Sequence, residues 1–170
     1  MNAGLLRGIS RNLPAKRPGH PWMSLAVFFC AFATAGAAVE LKTYWEFKEA
    51  EDFSRLTEYF TGQEPRGNRI LLRSVPEQRA GLYFSVRLKG GIQALPEGSK
   101  AVVEAMHPES VDPRKHTFDL PAQGKNYKEL MLGLTGENWP SAKDKPMAWR
   151  IQVLDAMGEV LGTSKSYLWR

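Results

Sequence analysis

Residues 82–88, Leu-Tyr-Phe-Ser-Val-Arg-Leu, decide the fold, because apolar and more polar positions alternate along the whole stretch. A period of two predicts a strand with one face in a core and the other toward solvent. Residues 147–153 repeat the pattern, with Trp149 and Ile151 on one side and Arg150 on the other. Two such strands in one chain indicate a sheet protein with a covered face.

Working outward from residue 82, the same period continues to the end of the chain. Further apolar runs occur at residues 70–72, 101–106, 118–120, 130–134 and 160–169. Glycine, proline and asparagine punctuate these runs at turn-sized intervals, and Asp155 to Gly158 predicts a hairpin turn closed by a left-handed glycine. No helix of three turns fits after Ile70. The sequence therefore predicts an all-β domain over residues 69–170 with about seven antiparallel strands.

The number and spacing of these strands resemble those of the immunoglobulin-like and fibronectin-III-like sandwiches. The resemblance covers residues 69–170 and concerns the general fold only. The cysteine pair and the tyrosine corner of antibody domains are missing. The resemblance implies that Trp149 is the buried core tryptophan.

The N-terminal residues 1–38 have the three parts of a secretory signal peptide. Four basic residues precede an apolar run at residues 24–32, and small residues follow at 34–38. This order predicts a cleaved leader and an exported protein, periplasmic or extracellular. The alternative is an uncleaved anchor that leaves a single membrane span with the domain outside the cytoplasm. Cys30 follows Phe29, which makes a poor lipoprotein signal.

Removal of the leader changes the composition of the chain. The whole sequence has 23 basic and 18 acidic residues, and the leader contains four of the basic ones, so the remainder has a net charge of +1. A near-neutral domain lacks the electrostatic footprint of a nucleic-acid binder, and a membrane contact is expected only if the leader stays. The sole cysteine, Cys30, leaves with the leader, so stability must come from a packed core.

Residues 39–68 form an N-terminal arm in this interpretation. The spacing of Phe53, Leu56, Tyr59 and Phe60 predicts a short helix over residues 49–60. Residues 43–47 are either a first strand or an extended segment. The arm either caps one sheet of the sandwich or docks on another protein.

Metal and catalytic chemistry have weak candidates. His107 and His116 flank a loop that also contains Glu109 and Asp112, a legitimate ligand set for a divalent ion. An exposed connection with a histidine at the strand edge explains the same residues. No nucleophile elbow and no phosphate-binding glycine loop occurs in the sequence, so we predict neither an enzyme nor a cofactor.

Two aromatic groups are candidate contact sites. Glu137, Asn138 and Trp139 lie in a glycine- and proline-rich loop, where a tryptophan beside polar groups suits a protein or sugar contact. The alternative is that Trp139 folds back as a lid over an open end of the sandwich. The second group is Tyr83, Tyr167 and Trp169. These make a binding face if their strands share one sheet, and cross-strand stabilisers if they do not.

The sequence therefore predicts an exported, non-catalytic β-sandwich module that binds a protein or a cell-envelope component. A carbohydrate or small-ligand binder that uses exposed aromatics is the alternative. A metal-dependent enzyme at His107 and His116 is a third hypothesis.

Overall fold

A computed structural model describes residues 38–65, 67–121 and 127–170. These residues form two four-stranded sheets, which confirms the all-β prediction. The strands are β1 (Leu41–Lys48), β2 (Arg69–Arg73), β3 (Gly81–Leu88), β4 (Lys100–Met106), β5 (Arg114–Asp119), β6 (Glu129–Thr135), β7 (Ala148–Leu154) and β8 (Val160–Lys165). One α-helix, α1 (Leu56–Thr61), and three short 3-10 helices complete the secondary structure: Ala50–Phe53, Ile92–Ala94 and Gly136–Asn138.

The first sheet has the strand order β1-β3-β6-β2, and the second has β5-β4-β7-β8. The first strand comes from the predicted arm: β1 pairs antiparallel with β3 from Leu41↔Leu88 to Lys48↔Gly81. The described chain thus has eight strands, one more than the sequence pattern predicts. The sequence signal for β1 is weak because much of this edge strand is exposed.

Strand β2 departs from the predicted antiparallel arrangement, since it pairs parallel with β6. It lies at the edge of the first sheet opposite β1, so the chain must cross the sheet between these two strands. A connection between parallel strands is necessarily a crossover. The crossover, residues 49–68, contains both the 3-10 helix Ala50–Phe53 and α1.

The main core fills the space between the two sheets. Most of its members are apolar residues of the alternating strands, and Trp139 comes from a loop. The core includes Leu82, Phe84, Val86, Val103, Leu130, Leu132, Leu134, Trp139, Trp149, Ile151 and Val153. Trp149 packs 5.7 Å from Phe84 between ring centres. The period of two thus selects most of the strand side chains that the core contains.

A second, smaller core lies on the outer face of the first sheet. Phe53, Leu71, Tyr83 and Met131 are buried together there. The parity of β3 directs Tyr83 away from the main core, as predicted, but the crossover covers it. The ring of Phe53 lies 4.8 Å from that of Tyr83. The outward face is therefore not a solvent face at this point.

Gly133 makes room for the Tyr83 ring. The two residues are paired across β3 and β6. A Cβ atom at position 133 would lie 2.5 Å from Cε1 of Tyr83, closer than two carbon atoms can approach. The glycine therefore lets the tyrosine ring lie flat across the neighbouring strand.

Two elements differ from the sequence prediction, and one predicted turn agrees with it. The predicted helix over residues 49–60 is divided into the 3-10 helix Ala50–Phe53 and the helix α1, which ends at Gly62 with φ +65°. The last strand stops at Lys165, four residues early, and a turn follows. The Asp155–Gly158 turn is confirmed: the amide of Gly158 donates to the carbonyl of Asp155 at 3.2 Å, and Gly158 has φ +88°.

Residues 1–37 of the predicted leader lie outside the described residues. In the described part of the chain, no helix has the length and apolar character to cross a bilayer.

We predict that Tyr83→Phe destabilises the protein and that Tyr59→Phe does not. The Tyr83 hydroxyl accepts a hydrogen bond from Nε of Arg73 at 2.8 Å and donates one to the carbonyl of Arg79 at 2.6 Å. Its loss leaves both groups partnerless in a covered site and costs about 1–3 kcal/mol in the free energy of unfolding. Tyr59 is 84% exposed, so the same change there should alter it by less than about 0.5 kcal/mol. Urea unfolding of both variants measures the difference, and equal effects would contradict the buried network.

Candidate functional site

Helix α1 carries the most exposed large apolar side chains of the crossover between β1 and β2. Leu56, Tyr59 and Phe60 are 76%, 84% and 75% exposed, and no residue of α1 is buried. The rings of Tyr59 and Phe60 contact each other edge to face at 5.5 Å. Large aromatics offer roughly 150–250 Å² each when buried. A leucine and two aromatic side chains exposed on one short helix are unusual on the surface of a monomer and are typical of an interaction site.

Two ion pairs hold this segment on the sheet. Arg73 of β2 binds Glu64 through both terminal nitrogens, at 2.7 and 2.5 Å, with both side chains largely buried. Arg79 pairs with Glu58 of α1, and one of these contacts is 3.1 Å long. Paired guanidinium and carboxylate groups fix geometry as well as add energy. The helix is thus tied to β2 and to the loop before β3.

Arg73 links these ion pairs to the small core. Its guanidinium carbon lies 4.7 Å above the centre of the Phe53 ring, and its Nε donates to Tyr83. Burial raises the pKa of the Tyr83 hydroxyl, and Arg73 acts in the opposite direction. The hydroxyl therefore stays protonated at neutral pH and can donate to the carbonyl of Arg79. Phe53, Arg73 and Tyr83 therefore form one packed cluster on the outer face of the first sheet.

The arm contains both covered and exposed apolar residues. Phe53 is 8% exposed and caps the first sheet. Leu56, Tyr59 and Phe60 do not follow it into the core, although their spacing places them on one predicted helical stripe. The break between the 3-10 helix and α1 separates them, because Ser54 and Arg55 have extended backbone conformations. We call the three exposed side chains the α1 patch.

A cleft lies beside the α1 patch. It has a volume of about 370 Å³ and is lined in part by Ala50, Arg79, Ala80 and Pro140. Arg79 lines the cleft and also pairs with Glu58 of α1. This residue therefore connects the cleft to the helix that carries the patch.

Acidic residues precede the α1 patch in the chain. Glu49, Glu51 and Asp52 are exposed, and the backbone amide of Glu49 donates to the carboxylate of Asp52 at 2.9 Å. Arg55 is also exposed and lies directly before α1. The approach to the patch therefore carries more negative than positive charge.

Trp139 lies inside the protein. It has no exposed surface, its Nε1 donates to the carbonyl of Asp144 at 2.7 Å, and its ring meets that of His107 edge on at 4.9 Å. The buried indole is the lid of the alternative interpretation and has no exposed face for a ligand. The sequence signal was ambiguous because a glycine- and proline-rich loop suits both an exposed and a folded-back tryptophan.

Glu137 and Asn138 lie at the 3-10 helix before Trp139. Arg114 of β5 donates to both of their carbonyls, at 3.2 and 2.6 Å, and Nδ2 of Asn138 donates to Ser74 at 3.0 Å. Glu137 is exposed, and Asn138 is partly buried. These contacts fasten the loop to β5 and to the residue that follows β2, and the Glu137 side chain faces solvent.

Tyr83, Tyr167 and Trp169 do not form one face. Tyr83 belongs to the first sheet and is buried, whereas β8, which precedes the other two, belongs to the second sheet. Tyr167 is fully exposed, and the ring of Trp169 lies 5.1 Å from the guanidinium carbon of Arg150. The condition for a shared aromatic face is therefore not met.

The four metal candidates have different surroundings. Nδ1 of the buried His107 accepts the backbone amide of Glu109 at 3.2 Å, and its Nε2 lies 3.3 Å from Oδ2 of Asp144 without hydrogen-bond alignment. Glu109 and Asp112 are exposed, and His116 is partly buried on β5. Within residues 38–65, 67–121 and 127–170, no group of three or more His, Cys, Asp or Glu side chains is arranged to hold a metal ion.

Burial shifts the titration of His116. Loss of solvent lowers the pKa of its imidazole, and the nearby Arg114 lowers it further. The neutral form is therefore favoured in the folded state more than in the unfolded chain.

Comparison with known proteins gives no family for this chain. No family model matches the sequence, and neither the curated proteins nor the solved structures show a significant similarity to it.

We predict that Trp139→Phe lowers the free energy of unfolding by roughly 2–3 kcal/mol. The change removes part of a buried ring and the donor to the Asp144 carbonyl. Trp169→Phe is the control, since Trp169 is partly exposed and contacts the guanidinium of Arg150, and it should cost less than about 1 kcal/mol. Urea unfolding compares the two, and a larger loss for Trp169→Phe would contradict the lid.

We predict that His116 makes the protein less stable in mild acid. Its folded-state pKa is lowered, so the unfolded state binds more protons, and stability is lost as the pH falls through the unfolded value of about 6.5 toward the lower folded value. The variant His116→Gln should therefore lose less stability than the wild type between pH 7.5 and pH 5. Unfolding midpoints in urea at both pH values test this. Both proteins contain His107, so His107 does not account for a difference between them. Equal losses would show that His116 does not contribute.

Proposed function

We propose that this protein is an exported, non-catalytic β-sandwich module that binds a partner protein through the α1 patch. The observation that carries the proposal is the exposure of Leu56, Tyr59 and Phe60 on a helix that Arg79 holds through an ion pair with Glu58. Interfaces are enriched in aromatic anchors that are already ordered before binding, since ordering costs affinity. The ion pairs of Glu58 and Glu64, on and after α1, supply part of this order.

A protein is favoured over a lipid surface by the charges next to the patch. Glu49, Glu51 and Asp52 precede it in the chain and are exposed, and Arg55 is the one exposed basic residue between positions 49 and 65. Anionic membranes attract basic clusters and repel acidic ones. A groove with an apolar floor and basic groups at its rim fits both the patch and its surroundings.

The cleft next to α1 adds shape to this surface. Helix-in-groove recognition needs protruding apolar side chains, and a partner that closes over them can also fill an adjacent recess. Arg79 lies between the two features and has polar groups for the rim of the interface. Standard interfaces bury about 800 Å² on each partner, more than three side chains supply, so the cleft belongs to the proposed contact.

The finer fold assignment is an immunoglobulin-like sandwich. Its support is the strand order that remains when β2 is left out: β1-β3-β6 in one sheet and β4-β7-β8 in the other. Counted along the chain, these are the A-B-E and C-F-G neighbours of the immunoglobulin arrangement. When β2 is left out, β5 is the fourth strand, and it pairs with β4 instead of β6. Strand β2 is an insertion at the edge beyond β6.

The proposal of export rests on the leader sequence.

The carbohydrate alternative has less support than protein binding. Two of the aromatics suggested for a sugar contact, Tyr83 and Trp139, have no exposed surface. Of the other two, Trp169 lies against Arg150, and Tyr167 stands alone in the last turn.

The direct test replaces the α1 patch and captures partners from envelope extract. The variant Leu56→Ser/Tyr59→Ser/Phe60→Ser should keep the wild-type unfolding midpoint, because none of the three residues is buried. We expect it to lose, by at least fivefold in quantitative mass spectrometry, one or more proteins that the wild type captures. The physical reason is the loss of the apolar anchors.

The matched control is Val111→Ser/Met157→Ser/Tyr167→Ser. These side chains are 89%, 87% and 100% exposed at other places on the surface, so the loss of apolar area is similar. The control should capture the same proteins as the wild type. An identical set of proteins for all three samples would refute the proposal, and binding of the wild type to lipid vesicles through α1 would replace the protein partner by a membrane.

A further inference from the structure

A second cleft lies far along the first sheet from α1, at the start of β1 and the end of β3. It has a volume of about 310 Å³ and is lined by Glu40, Lys42, Arg87, Leu88 and Lys89. Three of its five lining residues are basic and one is acidic. In a mature chain with a net charge of only +1, this is a local concentration of positive charge.

Part of this charge is not neutralised. Lys89 pairs with Glu40 at 3.2 Å, and both side chains are mostly exposed. Arg87 touches Glu129 through Nε alone, at 3.4 Å, which leaves the other donors of its guanidinium available. Lys42 has no ion-pair partner among the described residues.

The register puts Lys42 and the partly paired Arg87 side by side. Lys42 of β1 and Arg87 of β3 are directly opposite in the antiparallel pair. Directly opposite residues have Cβ atoms about 4.5–5.5 Å apart on the same face, and like charges in such a pair are destabilising. A bound anion between them would remove this repulsion and meet two donors at once.

We infer that this cleft binds a carboxylated polysaccharide. The planar guanidinium of Arg87 suits a carboxylate with two oxygens, and Lys42 supplies a second positive charge for the same group. The aliphatic stems of Lys42 and Lys89 provide an apolar surface for the sugar ring. Lys89, two residues from Arg87 and paired only with an exposed carboxylate, meets the next charged group of the polymer.

This inference is independent of the proposed protein contact, because the cleft shares no residue with the α1 patch. It also differs from the aromatic sugar contact predicted from sequence. The recognition rests on charge and on an edge of the first sheet, without Trp139 or Tyr83.

The test is isothermal titration of polygalacturonate into the protein at 20 and 150 mM NaCl. The chain is expressed from its full sequence and purified as the cell processes it. We expect Lys42→Gln/Arg87→Gln to weaken binding at least tenfold and to reduce its salt dependence, since fewer counterions are exchanged. The control Lys115→Gln/Lys143→Gln makes the same change in net charge at two exposed lysines of the second sheet and the β6–β7 loop, and should bind within twofold of wild type.

The other outcomes also decide the question. Removal of the like-charged pair should leave the unfolding midpoint unchanged or raise it, and the single variant Lys89→Gln, outside the strand, should weaken binding by a smaller factor. Equal losses in the double variant and the control would overturn the inference in favour of general charge attraction. Absence of polygalacturonate binding at 20 mM NaCl, or binding of inorganic polyphosphate in its place, would overturn it as well.

Discussion

The contact between Phe53 and Tyr83 is the interaction on which the special features of this protein depend. It closes the outer face of the first sheet, where an exposed strand face would otherwise be in water. Gly133 allows the Tyr83 ring to lie across β6, and Arg73 covers Phe53 while its guanidinium binds Glu64. The chain has no cysteine after position 30, so this packing takes the place of a cross-link between the crossover and the sheet.

Within a few residues, the crossover contains both a side chain that packs on the sheet and the exposed α1 patch. A parallel β2 requires the chain to pass over the sheet, and the passage is anchored by one buried aromatic and two ion pairs. Beyond these anchors, no residue of the helix α1 is buried. Its apolar side chains are therefore presented to solvent from a fixed base, which is the arrangement an interaction site needs.

The loop after β6 differs from α1, because its aromatic residue Trp139 is buried. Trp139 fills the space between the sheets next to His107, and its indole nitrogen is satisfied by the carbonyl of Asp144. Buried polar groups must be paired, and this loop provides the partner from its own backbone. Trp139 thus belongs to the main core, whereas Tyr59 and Phe60 lie on the surface.

Periodicity by itself determined the all-β class, most of the strands and their core-facing residues, since alternation reflects local geometry that each strand carries within itself. The residue types also located the Asp155–Gly158 turn, because the positive φ of Gly158 depends on that residue's lack of a side chain. Only the tertiary structure decided that β1 is a full strand, that β2 runs parallel, that Tyr83 and Trp139 are buried and that Leu56, Tyr59 and Phe60 are not. These depend on which distant segment covers a given face, and nothing in the spacing of residues along the chain specifies that partner.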